Sequence, residues 1–195
     1  MGKTLEEELI KAGEKMPVLR TARLILRAFT PHDVHDVFEY ASAEEVALYT
    51  TFKAHQSLEE SYFFLLHVAL PSYKRGDIGP YALEYEGKVI GAVELRKMSS
   101  SIRTHVRELG IVLHKKYWRK GFIQEATRKI IAHAFKDPHI YRILATIEVD
   151  NKNSIKTVER LGFIYEGCER QGRALKGRYA DMLHYSLLRT EWEEE

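Results

Sequence analysis

Apolar and polar positions alternate along the chain with two periods, and the points where one gives way to the other mark the predicted elements. Thr4 with Glu7 forms a capping-box pattern ahead of Leu9 and Ile10 and predicts a short helix over 4–13, at the margin of the main fold. Residues 23–29, RLILRAF, read as a strand. Thr30, followed by Pro31 at a first helical position and Asp33 in a first turn, opens a helix. Ser57 with Glu60 opens another, predicted to run to about Arg75. Residues 79–86 and 88–97 read as a hairpin around Glu86-Gly87, and 105–113 as a fourth strand. Helical spacing of Ile123, Ala126, Ile130 and Ala134 predicts a helix over 119–136. A fifth strand covers 141–149. A short helix from Asn151 to Leu161 is stopped by Gly162, and two last strands fall around 163–171 and 179–188.

Helices alternate with strands only in the second half, which implies an α/β (mixed α+β) chain: a mixed sheet with helices on both faces. No repeat or Pro/Gly/Ser-rich linker divides it, so we expect an N-terminal extension over 1–19 and a single domain over 20–195. With 45% hydrophobic and 30% charged residues the composition is that of a globular chain and not a disordered one. No apolar stretch approaches the roughly 20 residues of a membrane helix, and the charged first 15 residues lack the apolar core of a secretory signal. Cys168 is the single cysteine, so no intrachain disulfide forms; a reducing, cytoplasmic setting is expected. A net charge of +2 gives no argument for nucleic acid or membrane partners.

Local charge says more. Lys115, Lys116, Arg119, Lys120, Arg128 and Lys129 crowd into 15 residues. They read either as a solvated helix face or as an anion site. What lies beside them favours the second: a strand, a basic loop containing Gly121, then a helix. The first helical turn carries N–H groups without intrahelical partners, at the positive end of the helix dipole. Glycine lets an anion approach the backbone, and Arg119 and Lys120 add charge, so a diphosphate suits the place. The segment is neither a Walker loop nor GxGxxG, which disfavours ATP and dinucleotides.

The stretch Trp118-Arg-Lys-Gly121-Phe-Ile resembles the acetyl-CoA pyrophosphate loop of the GNAT N-acetyltransferase superfamily, usually Gln/Arg-x-x-Gly-x-Gly/Ala. Trp118 stands at the usual Gln/Arg position and Ile123 at one that is usually small. The wider run Glu108-Leu-Gly-Ile…Tyr117-Trp-Arg-Lys-Gly-Phe-Ile-Gln-Glu-Ala126 is similar to the RimJ/RimL-type branch, whose members acetylate N-termini of ribosomal proteins. Asn151-Lys-Asn-Ser154-Ile-Lys-Thr-Val-Glu-Arg-Leu-Gly162-Phe163, the ending Tyr185 to Trp192 and the opening Thr21 to Arg27 match the same branch, so the resemblance covers roughly 20–192.

The resemblance implies a GNAT fold: a mixed, mostly antiparallel sheet of about seven strands, splayed between the fourth and fifth to admit acetyl-CoA. It implies direct attack of a primary amine on the thioester. Arg119, Lys120, Gly121, Phe122, Ile123 and Gln124 would hold the diphosphate. The backbone of Ile111, Val112 and Leu113 would pair with the amide-bearing arm, with the N–H of Val112 or Leu113 facing the oxyanion. Asn151 and Ser154 would touch the cofactor, although both are also ordinary residues for a helix start.

Glu108 is the candidate base: strand alternation puts it on one face with Val106, Gly110 and Val112. The plainer alternative is an ion pair with Arg107 or Arg142. Many superfamily members protonate the departing thiolate from a Tyr where this chain has Val158, which leaves Ser154, water or Tyr165. At pH 7 deprotonation costs about 1.4 kcal/mol for an α-amine of pKa near 8, and about 4.6 for a lysine near 10.4. That favours a protein N-terminus as acceptor. A small amine (polyamine, amino acid or aminoglycoside), a non-catalytic acyl-CoA-binding module and nucleic-acid binding by the basic loop are the rival readings; a homodimer is compatible with the sequence. Nine histidines show no HExxH spacing or Cys/His cluster, so no metal is expected. Tyr62, Phe63, Leu66 and Leu70 read as core or groove wall.

Overall fold

Strand pairing fixes where every functional residue sits. The computed structural model describes residues 4–193; residues 1–3 and 194–195, the ends of the expected 1–19 and 20–195 segments, lie outside them. In chain order the elements are α1 (Leu5–Gly13), β1 (Leu19–Arg20), β2 (Ile25–Arg27), α2 (Val34–Ala41), α3 (Glu44–Ala47), α4 (Leu58–Phe64), α5 (Leu70–Arg75), β3 (Ile78–Tyr85), β4 (Lys88–Lys97) and β5 (Val106–Leu113). Then come α6 (Phe122–Ala134), β6 (Arg142–Glu148), α7 (Lys152–Arg160), β7 (Ile164–Leu175) and β8 (Arg178–Leu188). The sheet runs β1-β2-β3-β4-β5-β6-β8-β7 and is antiparallel except at β5–β6. It has eight strands where the sequence suggested about seven. The addition is β1, two residues too short to show a period.

Alternation along the strands feeds two cores. Val93, Leu95, Leu109, Ile143 and Ala145 face Phe122, Ala126, Ile130 and Ile131 of α6 and Val158 of α7. Ala82, Val89 and Ala92 face the other way, toward Val37 and Ala41 of α2, Leu65, Leu70 and Tyr73. Helices therefore cover both faces, as the sequence implied. Among the described residues no helix is long and apolar enough to cross a membrane.

Several elements differ from the sequence reading. The Thr4 capping box forms as expected, but α1 is not marginal: Leu9 is fully buried, and Gly13 lies so close to Ala28 that an added Cβ would sit 2.8 Å from its Cβ. The helix expected from Thr30 begins with a 3₁₀ turn over Pro31–Asp33, and the Asp33 carboxylate that accepts the Thr30 N–H (2.7 Å) also pairs with Arg27 (2.8 Å). The helix expected from Ser57 to Arg75 is interrupted by a wide turn over Leu65–Ala69, where the Leu70 N–H reaches back five residues to the Leu65 carbonyl. Pro71 explains the break: it has no N–H for the carbonyl four residues back, and its ring crowds that carbonyl. The helix expected over 119–136 starts only at Phe122, because Arg119 (φ 62°) and Gly121 (φ 80°) are left-handed.

If α1 is integral, Leu9→Ala will lower stability by about 3 kcal/mol, read as a lower denaturant midpoint with little change in slope. A loss under about 0.5 kcal/mol would make α1 an accessory.

Candidate active site

The parallel pair β5–β6 is brief. Val106, Arg107 and Glu108 pair with Arg142, Ile143 and Leu144, and then the strands part, β5 staying with β4 and β6 with β8. A cavity of about 380 Å³ occupies the opening. Its walls include Gly110, Ile111 and Val112 of β5, Ala145 to Glu148 of β6, and Asn151, Ser154 and Val158 at α7. It continues past Glu94 and Arg96 of β4 toward Tyr49, His55 and Phe63. The backbone of β5 is oriented by its β4 side. His114 donates to the Ile90 carbonyl (2.8 Å), and a Cβ on Gly91 would meet the Val112 carbonyl at 2.3 Å. Val112 thus turns its polar groups toward β4. Alternation turns those of Ile111 and Leu113 toward the parting, so of the two N–H groups considered beforehand Leu113 has its own on the open edge and Val112 does not.

Past Leu113 the chain turns through a 3₁₀ segment, Lys115–Tyr117, into the basic loop. The Trp118 indole N–H donates to the Leu113 carbonyl (2.7 Å) and fastens the loop to the strand end. Of the six clustered cations only Arg128 and Lys129 lie on α6; Arg119 and Lys120 belong to the exposed loop. No side chain caps α6 among the described residues, so its first-turn N–H groups stay available to an anion. Phe122 leaves only its backbone exposed to the loop, because its ring is buried under the Arg23 guanidinium (4.2 Å to the centroid) and beside Tyr85. Ile123 packs against the core, and Gln124 is half-buried. Arg23 was missed by sequence reasoning as part of this site. It pairs with Glu125 (2.7 Å) and donates to the Lys120 carbonyl (2.9 Å), bracing the loop against the N-terminal strands.

Three carboxylates line the opening: Glu60, Glu94 and Glu148. Glu148 is buried against Arg178 (2.7 Å), and Glu60 accepts the Gln56 N–H (2.8 Å). Glu94 has only the Arg96 guanidinium at 3.5 Å. Burial pushes the Glu94 carboxyl above its ordinary value against the pull of Arg96, and Asp77 and Glu108 push the same way. His55 Nδ1 lies 2.9 Å from the Ser61 hydroxyl, and burial lowers the imidazole pKa against the pull of Glu60. Glu108, the base expected from sequence, does not line the cavity. It lies between Arg96 (3.3 Å) and Arg173 (3.7 Å), not the Arg107 or Arg142 considered beforehand.

Asn151 caps α7, its side-chain oxygen accepting the Ser154 N–H (3.2 Å), and both residues also line the cavity, so capping leaves them where the resemblance would put cofactor contacts. Val158 is buried at the cavity wall. The exposed Tyr165 ring lies tilted against the buried Tyr185, and Cys168 is exposed; neither Tyr165 nor Cys168 lines the cavity. Among the described residues no group of His, Cys, Asp and Glu could hold a metal. Of the aromatic stripe, Phe63 lines the opening while Leu70 is core.

A family model described as an acetyltransferase (GNAT) domain matches residues 23–164, and the chain belongs to that family. "Putative ribosomal N-acetyltransferase YdaF" of Bacillus subtilis is 35% identical over 113 residues, 58% of this chain and 61% of that protein, so the match spans about three fifths of the relative's length. "Uncharacterized N-acetyltransferase YoaA" of the same organism is 29% identical over 89% of this chain and 97% of its own. The solved structure of Mycobacterium smegmatis RimJ in complex with CoA-disulfide superposes with a TM-score of 0.79 at 16% identity, covering 93% of this chain and 91% of that one. At that identity the likeness concerns the fold.

The left-handed Arg119 carries a testable trade. Arg119→Gly relieves backbone strain but frees the unfolded chain, so stability should stay level or rise by up to about 1 kcal/mol. Coenzyme A affinity should fall several-fold with the lost charge. Calorimetric titration beside thermal melts checks both; affinity that holds while stability falls would contradict a binding role for this residue.

Proposed function

We propose that the protein transfers an acetyl group from acetyl-CoA to a primary amine, and that the acceptor is the α-amine of a protein N-terminus. The observation that carries this reading is the parted strand pair. One edge of β5 is bound to β4, the other is open to a cavity, and the strand runs through a fastened loop to an uncapped helix start. An extended chain of amides ending in a diphosphate suits that sequence of features. Ile111 and Leu113 present backbone groups to the arm, Arg119 and Lys120 supply charge, and the N–H groups from Gly121 to Gln124 receive the phosphates. The acetyl-CoA supplies the activated thioester carbonyl. The Ile111 N–H, on the open edge where the strands part, stabilises the oxyanion formed there, while Asn151 and Ser154 contact the arm, with Ser154 or water giving a proton to the departing sulfur.

The far end of the cavity supports a polymeric acceptor. The opening toward Phe63 and Val68, both exposed, has room and apolar surface for the first side chains of a peptide. The name of the relative YdaF points the same way. The low cost of freeing an α-amine suits a site in which one of the three carboxylates, Glu94, is left without a hydrogen-bond donor among the described residues.

An acceptor panel tests the choice. Peptides beginning with Ala, Ser or Met should be acetylated at the α-nitrogen with kcat/KM at least about tenfold above that of polyamines, amino acids or aminoglycosides. Mass spectrometry of the product and thiol release give the readouts. Peptides with a blocked N-terminus and a free lysine should not react. Turnover confined to small amines would replace the acceptor and leave the acetyl transfer standing.

A further inference from the structure

We propose that Glu94 is the catalytic base, taking the proton of the acceptor amine as its nitrogen attacks the thioester, and that Glu108 is a positioning residue acting on it through Arg96. This rests on the acetyl-transfer reading above and assigns the proton within it.

The placement begins with β4–β5 register. Glu94 lies opposite Gly110 and Arg96 opposite Glu108, so all four share one face. Gly110 is the second residue beyond the last β5–β6 pair, at the point where the strands separate. The Glu94 carboxylate lies over its Cα: an added Cβ there would be 2.7 Å from Glu94 Oε1. The glycine in Glu108-Leu-Gly110 is therefore the space in which this carboxylate rests. Glu94 faces the cavity beside Ile111, where an arm paired along β5 brings its reactive end, whereas Glu108 lies one pair deeper and outside the walls. Of the cavity's three carboxylates, Glu148 is bound by Arg178 and Glu60 by a backbone amide. Glu94 alone accepts no hydrogen bond among the described residues, its nearest cation being 3.5 Å away. A largely buried carboxylate without a donor is costly unless something else uses its lone pairs.

The balance is simple. The neutral amine's lone pair forms the N–C bond at the thioester carbonyl, whose π electrons move to oxygen. Glu94 accepts the N–H proton. Collapse re-forms the carbonyl and breaks C–S, the sulfur leaving with the electron pair and taking a proton from Ser154 or water. Glu94 returns its proton to solvent. The neighbouring charges tune the base: Arg96 on its own strand and Arg75 at the end of α5 favour the carboxylate, Asp77 and Glu108 oppose it, and burial opposes it most. The carboxyl thus holds its proton to a higher pH than an ordinary glutamate, nearer the range useful to a base at neutral pH.

The test is kcat against pH at saturating acceptor for the wild type, Glu94→Gln and Glu108→Gln, with acetyl-CoA binding and melting temperature measured alongside. In Glu94→Gln, kcat should fall about 100-fold or more, the acidic limb should flatten, and acetyl-CoA affinity should stay within about threefold. Should that variant not fold, Glu94→Asp, which withdraws the charge by one methylene, should lower kcat by at least about tenfold. In Glu108→Gln a like charge is lost and Arg96 is freed to approach Glu94. Both changes favour the carboxylate, so the acidic limb should move to lower pH. Removing or withdrawing the Glu94 carboxylate with less than a threefold change in kcat and an unchanged limb would overturn the base. A limb unmoved in Glu108→Gln would overturn the positioning role. A wild type that binds acetyl-CoA yet acetylates nothing in the panel overturns the transfer reading and the base with it, so the wild-type arm separates the two failures.

Discussion

A parallel strand pair that stops after three residues is the constraint from which the rest follows. Backbone N–H and C=O groups removed from water need partners, and the open edge of β5 leaves those of Ile111 facing a cavity in place of β6, while the Leu113 carbonyl is taken by the Trp118 indole. The opening is held by packing. Ile143, Ala145 and Ile147 anchor β6 to one core, Val158 and Leu161 fix α7 beside it, and β4 keeps β5 in line over seven residue pairs. Neither strand can swing across without breaking one of these attachments. The vacancy in the sheet is thus a rigid slot, and rigidity makes a slot useful for aligning two reactants.

Much of this was legible in the chain. The period of two in β3 to β6, the spacing of Ile123, Ala126, Ile130 and Ala134, and the caps at Thr4 and Asn151 are local signals, and they located their elements to within a few residues. The loop from Trp118 to Ile123 announced itself by charge and glycine. What stayed hidden depends on register and on tertiary contact. Nothing near Glu94 in sequence says that it will lie over Gly110; only pairing β4 with β5 does. The alternation of Ala92, Glu94 and Arg96 against Val93 and Leu95 was the available signal, a carboxylate on the face turned away from the α6 core. Glu108 drew attention because it adjoined a recognisable motif, but its partners Arg96 and Arg173 come from strands distant in sequence. Helix ends at Phe122 and Leu65 were misplaced because left-handed Arg119 and the crowding of Pro71 override residue preference.

Charges tie distant parts of the chain into the slot. Glu94, Arg96, Glu108 and Arg173 alternate in sign across β4, β5 and β7, so the groups nearest the cavity feel substitutions on a strand that is not their neighbour in the sheet. A similar link runs from the N-terminal strands. The Thr21 hydroxyl and Arg23 both engage Glu125 on α6, and Arg23 also holds the Lys120 carbonyl. This explains why the Thr21-Ala-Arg stretch accompanies a loop a hundred residues later: one immobilises the other.

The wide turn at Leu65–Ala69 has a separate meaning for how such a molecule can diversify. One surplus residue in a helix rotates everything beyond it by about a quarter of a circle. Phe63, before the turn, looks into the groove, while Leu70 and Tyr73, after it, look into the core. The half that greets a visitor is thereby uncoupled from the half that keeps the protein folded. Mutations at Phe63 or Val68 can alter what is welcomed without reshaping the packed side, giving natural variation a place to experiment.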